Sequence, residues 1–265
     1  MEILNLSEIK DITLIVSGIG TFISAFVAMF TVLEIKKQRL SSYKPELILD
    51  SFVSFFFADN FLSTDDNIRY KTTKYLENNQ KHLKETDKTI SMDYLLQNIG
   101  FGTAKYIEGF WSFDYKKASK VLKKYVKEDY LIENDNDGFS ISNEKRDFWL
   151  FFRKSNLEKD TIDFILPESQ GENGKGRTVP SIITQVYAYY IVFKYNISVG
   201  VNEEHCYEEF EELPKPKFKV TYKDFNNKKH TKTFELSFKY AGNNFDVPNQ
   251  EKNDCGIFYI DVTEK

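Results

Sequence analysis

Two groups of lysines are spaced so that they could hold a polyanion. In residues 115–127, Lys120, Lys123, Lys124 and Lys127 recur at helical spacing beside Tyr125. Later in the chain Lys217, Lys219 and Lys223 alternate with Phe218, Val220 and Tyr222. Local cations with an aromatic stacking partner are what a nucleotide or a single-stranded oligonucleotide requires. The same lysines would serve equally as a solvated helix face or strand, and the net charge of −4 carries no global nucleic-acid signature.

Catalytic chemistry has little to work with. The three histidines, His82, His205 and His230, fall in no motif that sets an acid beside a base or nucleophile. Gly171-Glu172-Asn173-Gly174-Lys175-Gly176-Arg177 lacks both the four-residue gap before Gly-Lys and the following Ser or Thr, so it reads as a loop rather than a phosphate cradle. Glu203, Glu204, His205 and Cys206, followed by Glu208, Glu209, Glu211 and Glu212, offer one His and one Cys side by side. That is no tetrahedral set, and the run reads as an exposed acidic linker. The chain is therefore read as non-enzymatic, without metal or cofactor. Cys206 and Cys255 have no CxxC partner, which suits a reduced compartment.

The elements that must position these residues are mostly strands. Residues 47–57, 94–97, 104–113, 148–152, 161–166 and 256–262 are rich in β-branched and aromatic types. Residues 217–223 and 234–240 alternate apolar with polar around a turn at 224–228, the pattern of an antiparallel hairpin with one buried face. Residues 115–127 read as a basic amphipathic helix and 180–192 as a second helix, while 134–138 and 167–177 read as loop and open segment. Residues 59–89 form a long polar excursion with room for a short helix. Aromatics make up 16% of the chain, which excludes a disordered tail and suits packed strands. The expected architecture is mainly β, an antiparallel β-sandwich with helical insertions over residues 46–265.

Ahead of this unit lies a different solvent. Residues 12–33 are 22 uncharged positions, about 33 Å as a helix, enough for a hydrocarbon core of about 30 Å. A cleaved signal peptide fits poorly, because Glu2, Glu8 and Asp11 precede the run and no small-residue cleavage site follows it. A soluble core helix would be shorter or carry a polar stripe. The reading is a single transmembrane helix over 12–34, with a short extracytoplasmic tail at 1–11 and a basic collar at 35–45. Lys36, Lys37, Arg39 and Lys44 follow the run and only Lys10 precedes it, so the amino terminus lies outside and residues 46–265 lie in the cytoplasm of an inner membrane. Lys36, Lys37 and Arg39 can touch anionic headgroups. Ser17, Gly20, Thr21, Ser24 and Ala28 give the helix one slim face, which suits a homo-oligomer.

The order of these features is similar to that of bacterial membrane-anchored β-sandwich proteins. It rests on Lys36-Lys37-Gln38-Arg39, Tyr43-Lys44-Pro45-Glu46-Leu47, Asn98-Ile99-Gly100-Phe101-Gly102-Thr103-Ala104 and Val220-Thr221-Tyr222-Lys223-Asp224. The chain also resembles membrane effectors of anti-phage defence, including the Hailong-type effector. The resemblance implies a pore held shut by a cytosolic domain until a nucleotide or oligonucleotide signal changes, and a partner protein from the same system. It assigns no residue to a ligand. The other reading is an anchored adaptor whose β-sandwich presents a protein-binding surface.

Overall fold

A computed structural model describes residues 6–58, 68–73, 91–126, 130–143, 149–153, 157, 159–171, 174–195, 206–242 and 254–265. The chain divides into two units, Met1–Lys44 and Pro45–Lys265.

The first unit is one helix, α1 (Leu6–Ser42), of 37 residues. Nothing in the run from Ile12 to Leu33 breaks a helix except Gly18 and Gly20, and Cβ atoms built on these two would meet open space. The helix stops where Pro45 disfavours helical geometry at Lys44. Its last turn closes with the Tyr43 amide donating to the Arg39 carbonyl at 3.1 Å.

The second unit is mainly β, in three antiparallel sheets among the described residues. A small sheet joins β1 (Leu47–Leu49), β4 (Asp93–Asn98) and β10 (Lys175–Thr178) in the order β1-β4-β10. The large sheet runs β3-β2-β14-β13-β12-β5-β9. Its strands are β2 (Phe52–Ala58), β3 (Ile68–Thr73), β5 (Ala104–Ser112), β9 (Asp160–Ile165), β12 (Lys217–Lys223), β13 (Lys229–Gly242) and β14 (Asp254–Glu264), and β11 (Cys206–Glu208) pairs with one end of β13. The third sheet is β6 (Tyr130–Asp135), β7 (Gly138–Asn143) and β8 (Trp149–Arg153).

The core is aromatic because the alternating strands put every second large side chain on one face. Phe218, Val220 and Tyr222 of β12 and Phe234, Leu236, Phe238 and Tyr240 of β13 are all buried. Tyr94 of β4 meets Trp111 of β5 and Phe218 at 5.6 and 5.5 Å between ring centroids, which joins the small sheet to the large one. Helix α3 (Ser181–Tyr195) is apolar on all sides, as a helix buried on all sides must be. Tyr187 stacks on Phe238 of the large sheet at 4.0 Å, and Tyr189 meets Phe152 of β8 at 5.8 Å. The Tyr187 hydroxyl donates to the Pro214 carbonyl at 3.0 Å, so this buried phenol is satisfied. Helix α2 (Tyr115–Leu122) begins at Asp114, whose carboxylate accepts from the Lys117 amide at 3.0 Å, and it buries Ala118, Val121 and Leu122.

Several expected elements differ in detail. Residues 47–57 are two strands in different sheets, broken at Asp50 and Ser51. The expected loop at 134–138 is the tight turn of the β6–β7 hairpin, where Asp135 pairs with Gly138. The α-helical part of 115–127 ends at Leu122, with 123–126 continuing as turns. The open segment 167–177 contains a 3-10 turn (Glu168–Gln170) and most of β10. Within 59–89 the described residues form β3 rather than a helix.

Candidate functional site

On α1 the five small residues Ser17, Gly20, Thr21, Ser24 and Ala28 fall within an arc of about 100° at 3.6 residues per turn. Phe22, Phe26 and Phe30 lie opposite, their rings in a ladder with centroids 6.1 and 4.9 Å apart. The hydroxyls of Thr21, Ser24 and Thr31 donate to the carbonyls four residues back at 2.8 to 2.9 Å. Each hydroxyl donor is thereby satisfied within the helix, which lowers its cost in hydrocarbon. No part of the apolar window of α1 is buried, and its large side chains from Leu14 to Leu33 stand exposed. Lys36, Lys37 and Arg39 are exposed after it.

The two lysine groups have different surroundings. Lys120 on α2 and Lys123 just after it are exposed, but Lys124 and the Tyr125 hydroxyl in the following turns both bond to the Glu212 carboxylate at 2.5 Å. That carboxylate holds the Lys124 pKa above its ordinary value, and the same bond, with burial second, raises the Tyr125 phenol. The Tyr125 ring already packs edge-on against Tyr190 at 5.2 Å, so it is not an open stacking platform. Lys127 lies outside the described residues.

Beside it sits a cage that sequence reasoning missed. Lys194, near the end of α3, points its ammonium over the rings of Tyr125, Tyr190 and Tyr195 at 5.6, 5.2 and 5.6 Å and bonds to Glu208 at 2.5 Å. Burial opposes the charge on Lys194 most, but the bond to Glu208 and the attraction of that carboxylate together outweigh it and lift the pKa. The cage is filled by the protein's own cation.

Lys217, Lys219 and Lys223 are all exposed on the outer face of β12, as the alternation requires. Lys217 has Glu235 at 3.7 Å, while Lys219 lies in register with Phe110 of β5 and Lys223 with Lys105. Tyr106 and Phe110 of β5 share that outer face, with Lys223 over the Tyr106 ring at 5.7 Å and Lys159 over the Phe110 ring at 5.8 Å. Lys159 also pairs with Glu108 at 2.5 Å and holds that carboxyl below its usual range. The β12 lysines thus have the aromatic neighbours that a polyanion site requires, contributed by a strand distant in sequence.

The remaining sequence candidates carry less. Lys175 opens β10, and Gly174 just before it packs so tightly that an added Cβ would lie 2.6 Å from the Leu96 carbonyl. No group of three or more metal-ligating side chains occurs among the described residues, outside which His82, Glu203, Glu204 and His205 fall. His230 is bonded to Asp224 at 3.0 Å within the hairpin turn.

No protein-family model, no curated protein and no solved structure matches this chain.

Proposed function

We propose that this chain is a single-span inner-membrane effector of anti-phage defence, with its amino terminus outside and its β unit in the cytoplasm. In this reading residues 46–265 form a β-sandwich-like regulator, and a nucleotide or oligonucleotide on that regulator gates a membrane pore or lesion. The observation that carries the reading is α1, which is long and apolar enough to cross a bilayer and buries none of that surface. A buried core helix would show the opposite. One span cannot enclose a pore, so conduction requires several copies, brought together in closed symmetry by the slim face of Ser17, Gly20, Thr21, Ser24 and Ala28. The outer face of β12 and β5 around Lys217, Lys219 and Phe110 is the better seat for the polyanion, because the Phe110 ring is exposed where that of Tyr125 is packed.

The hydroxyl bonds inside α1 favour a second reading, the anchored adaptor, since a helix with satisfied hydroxyls needs no neighbour. The two part company when residues 12–34 are replaced by an unrelated single-span anchor. An effector then loses ion flux in proteoliposomes and toxicity on expression, whereas an adaptor keeps its activity. Absence of flux from the intact chain under every nucleotide and oligonucleotide tested would overturn the pore.

A further inference from the structure

The β unit has one end at which several loops meet. Lys223 pairs with Lys105, so the loop preceding β5 and the turn following β12 emerge side by side. Ala104 pairs with Ile165, and Leu47 with Asn98, which places the end of β9 and the first residues of the unit at the same end. Here the Ile99 amide donates to the Glu46 carbonyl at 3.0 Å. The chain therefore enters the unit, at Pro45 and Glu46, beside these loops.

Three aromatic side chains at this end are exposed, Phe101 at 66%, Tyr106 at 66% and Phe225 at 74%, with Ile99 at 49%. Single exposed apolar residues are ordinary on a protein surface, but these are carried on backbone that is pinned or strained. The loop bearing Ile99 and Phe101 is clamped by Asn98, whose amide donates to the carbonyls of Gly102 and Ile165 at 2.7 and 3.1 Å and accepts from the amides of Gly100 and Glu46 at 3.2 and 3.0 Å. The turn bearing Phe225 is clamped by Asp224, which accepts from the amides of Asn226 and Lys228 at 2.8 and 2.9 Å, with Asn227 left-handed at φ 61°. Tyr106 itself sits at φ 49° where the pairing of β5 with β12 shifts register. That conformation costs a non-glycine residue stability, and here it turns a tyrosine outward.

The rim is cationic. Lys105 has its ammonium 4.7 Å from the Phe225 ring, and Lys223, Lys228 and Lys229 are exposed around it. Of the carboxylates nearby, Glu108 is paired with Lys159 and Glu46 with Lys232. Asp163 of β9 is exposed and Asp224 keeps its charge among the neutral amides of its turn, and these two charges reduce the four without cancelling them.

We propose that this end of the β unit is a lipid-contact surface, seating Phe101, Tyr106 and Phe225 in the headgroup layer of an anionic bilayer with the surrounding lysines on its phosphates. Aromatic side chains favour that depth, and clustered lysines are drawn to an anionic leaflet. Ile99 and Phe101 decide for lipid over nucleic acid, since an isoleucine beside the ring gains from hydrocarbon and offers a base nothing. The proposal rests on reading α1 as membrane-spanning. Pro45 then follows the last residue of the span by about a dozen residues, and the clustered lysines supply the attraction to the leaflet.

The test uses the full chain in vesicles of phosphatidylglycerol and brominated phosphatidylcholine, whose bromines quench tryptophan by contact. Phe101→Trp and Phe225→Trp each add one emitter to the native Trp111 and Trp149, and Phe30→Trp adds one inside α1. The emission added at 101 and 225 should fall roughly twofold, as suits headgroup depth, and the fall should shrink in Lys228→Glu/Lys229→Glu. If Phe30→Trp is quenched and the other two are not, the lipid surface is wrong while the span stands. If Phe30→Trp escapes quenching, the span fails and takes this proposal with it. Emission at 225 that ignores lipid but responds to an added single-stranded oligonucleotide would reassign the surface to nucleic acid and overturn the proposal.

Discussion

Asn98 is the residue whose loss should be felt most for its size. It is 1% exposed and uses both amide protons and both lone pairs of its carbonyl, so Asn98→Ala removes four hydrogen bonds at once. Gly102 and Ile165 are buried, and their carbonyls would lose a donor at about 1–3 kcal/mol each. The amides of Glu46 and Gly100 belong to half-buried residues and can recruit water, at about 0.5 kcal/mol each. The sum is about 5 kcal/mol, a fall in Tm of roughly 10–20 °C for a unit of this size. Thermal unfolding of the detergent-solubilised chain, followed by far-ultraviolet circular dichroism, reads it directly. Asn98→Asp sharpens the test, because aspartate keeps the two acceptor bonds but turns a charge toward two carbonyls. It should be at least as damaging at neutral pH and recover in part where acid restores a proton to donate. A fall in Tm under about 3 °C for Asn98→Ala, given the same scaling, would mean that the four bonds are not holding the strand ends together.

Other consequences can be checked by the same means. Gly109→Ala would put a Cβ 2.6 Å from Phe218, whose ring is wedged against Trp111 and Tyr94 and cannot yield, so about 1–3 kcal/mol should be lost to overpacking. At Asp224, burial opposes ionisation, but the bond to His230 and those to the Lys228 and Asn226 amides prevail and depress the pKa. The unfolded chain therefore binds the proton first. Stability from Asp224 is complete above the ordinary carboxyl range of about 3.9 and fades as pH falls through the folded value, so Asp224→Asn should flatten the acid limb of a plot of denaturant midpoint against pH. Lys194→Met keeps a soft side chain among the tyrosines but leaves Glu208 without its cation, at about 2 kcal/mol in urea unfolding. Because the Lys194 pKa is raised on folding, that deficit should be full at neutral pH and shrink as pH rises above about 10.4.

Where local pattern decided structure, the sequence was a sufficient guide. Strict alternation through Phe218, Val220 and Tyr222 and again through Phe234, Leu236 and Phe238 placed the hairpin correctly, and Pro45 marked the end of α1. Pattern failed where a long-range partner makes the element. Lys175–Thr178 looks like a glycine-rich loop and is a strand only because β4 supplies its hydrogen bonds, and the β6–β7 hairpin is polar enough to pass for a loop. The aromatic partners of the β12 lysines were hidden for a subtler reason. Alternation counted from buried Ala104 puts Tyr106 inside, and only the shift in pairing, with φ turned positive, sends it out. The Lys194 cage gathers side chains from residues 125, 190, 194, 195 and 208, and no spacing rule joins the first and last of these to the rest.

The entry of the chain into the β unit bears on the gating that the effector reading supposes. Helix α1 runs to Ser42, and the Glu46 amide is already bonded to Asn98, so residues 43–45 are all that lies between. Within the β unit this entry is held from several directions. Glu46 pairs with Lys232 of β13, which also holds Glu264 of β14 at 2.9 Å, and the Tyr222 hydroxyl reaches the Pro45 carbonyl at 3.5 Å. Burial opposes the charge on Lys232, and the bonds to its two carboxylates override that and raise its pKa, so the tie stays charged at neutral pH. An adaptor needs only to be kept at the membrane and has no use for an entry fixed to the sheets. A gate needs a change in the β unit to reach the chain that enters it, and Lys232 and Asn98 tie that entry to the large sheet and the small one. A fixed entry at Glu46 is therefore what the effector reading would require.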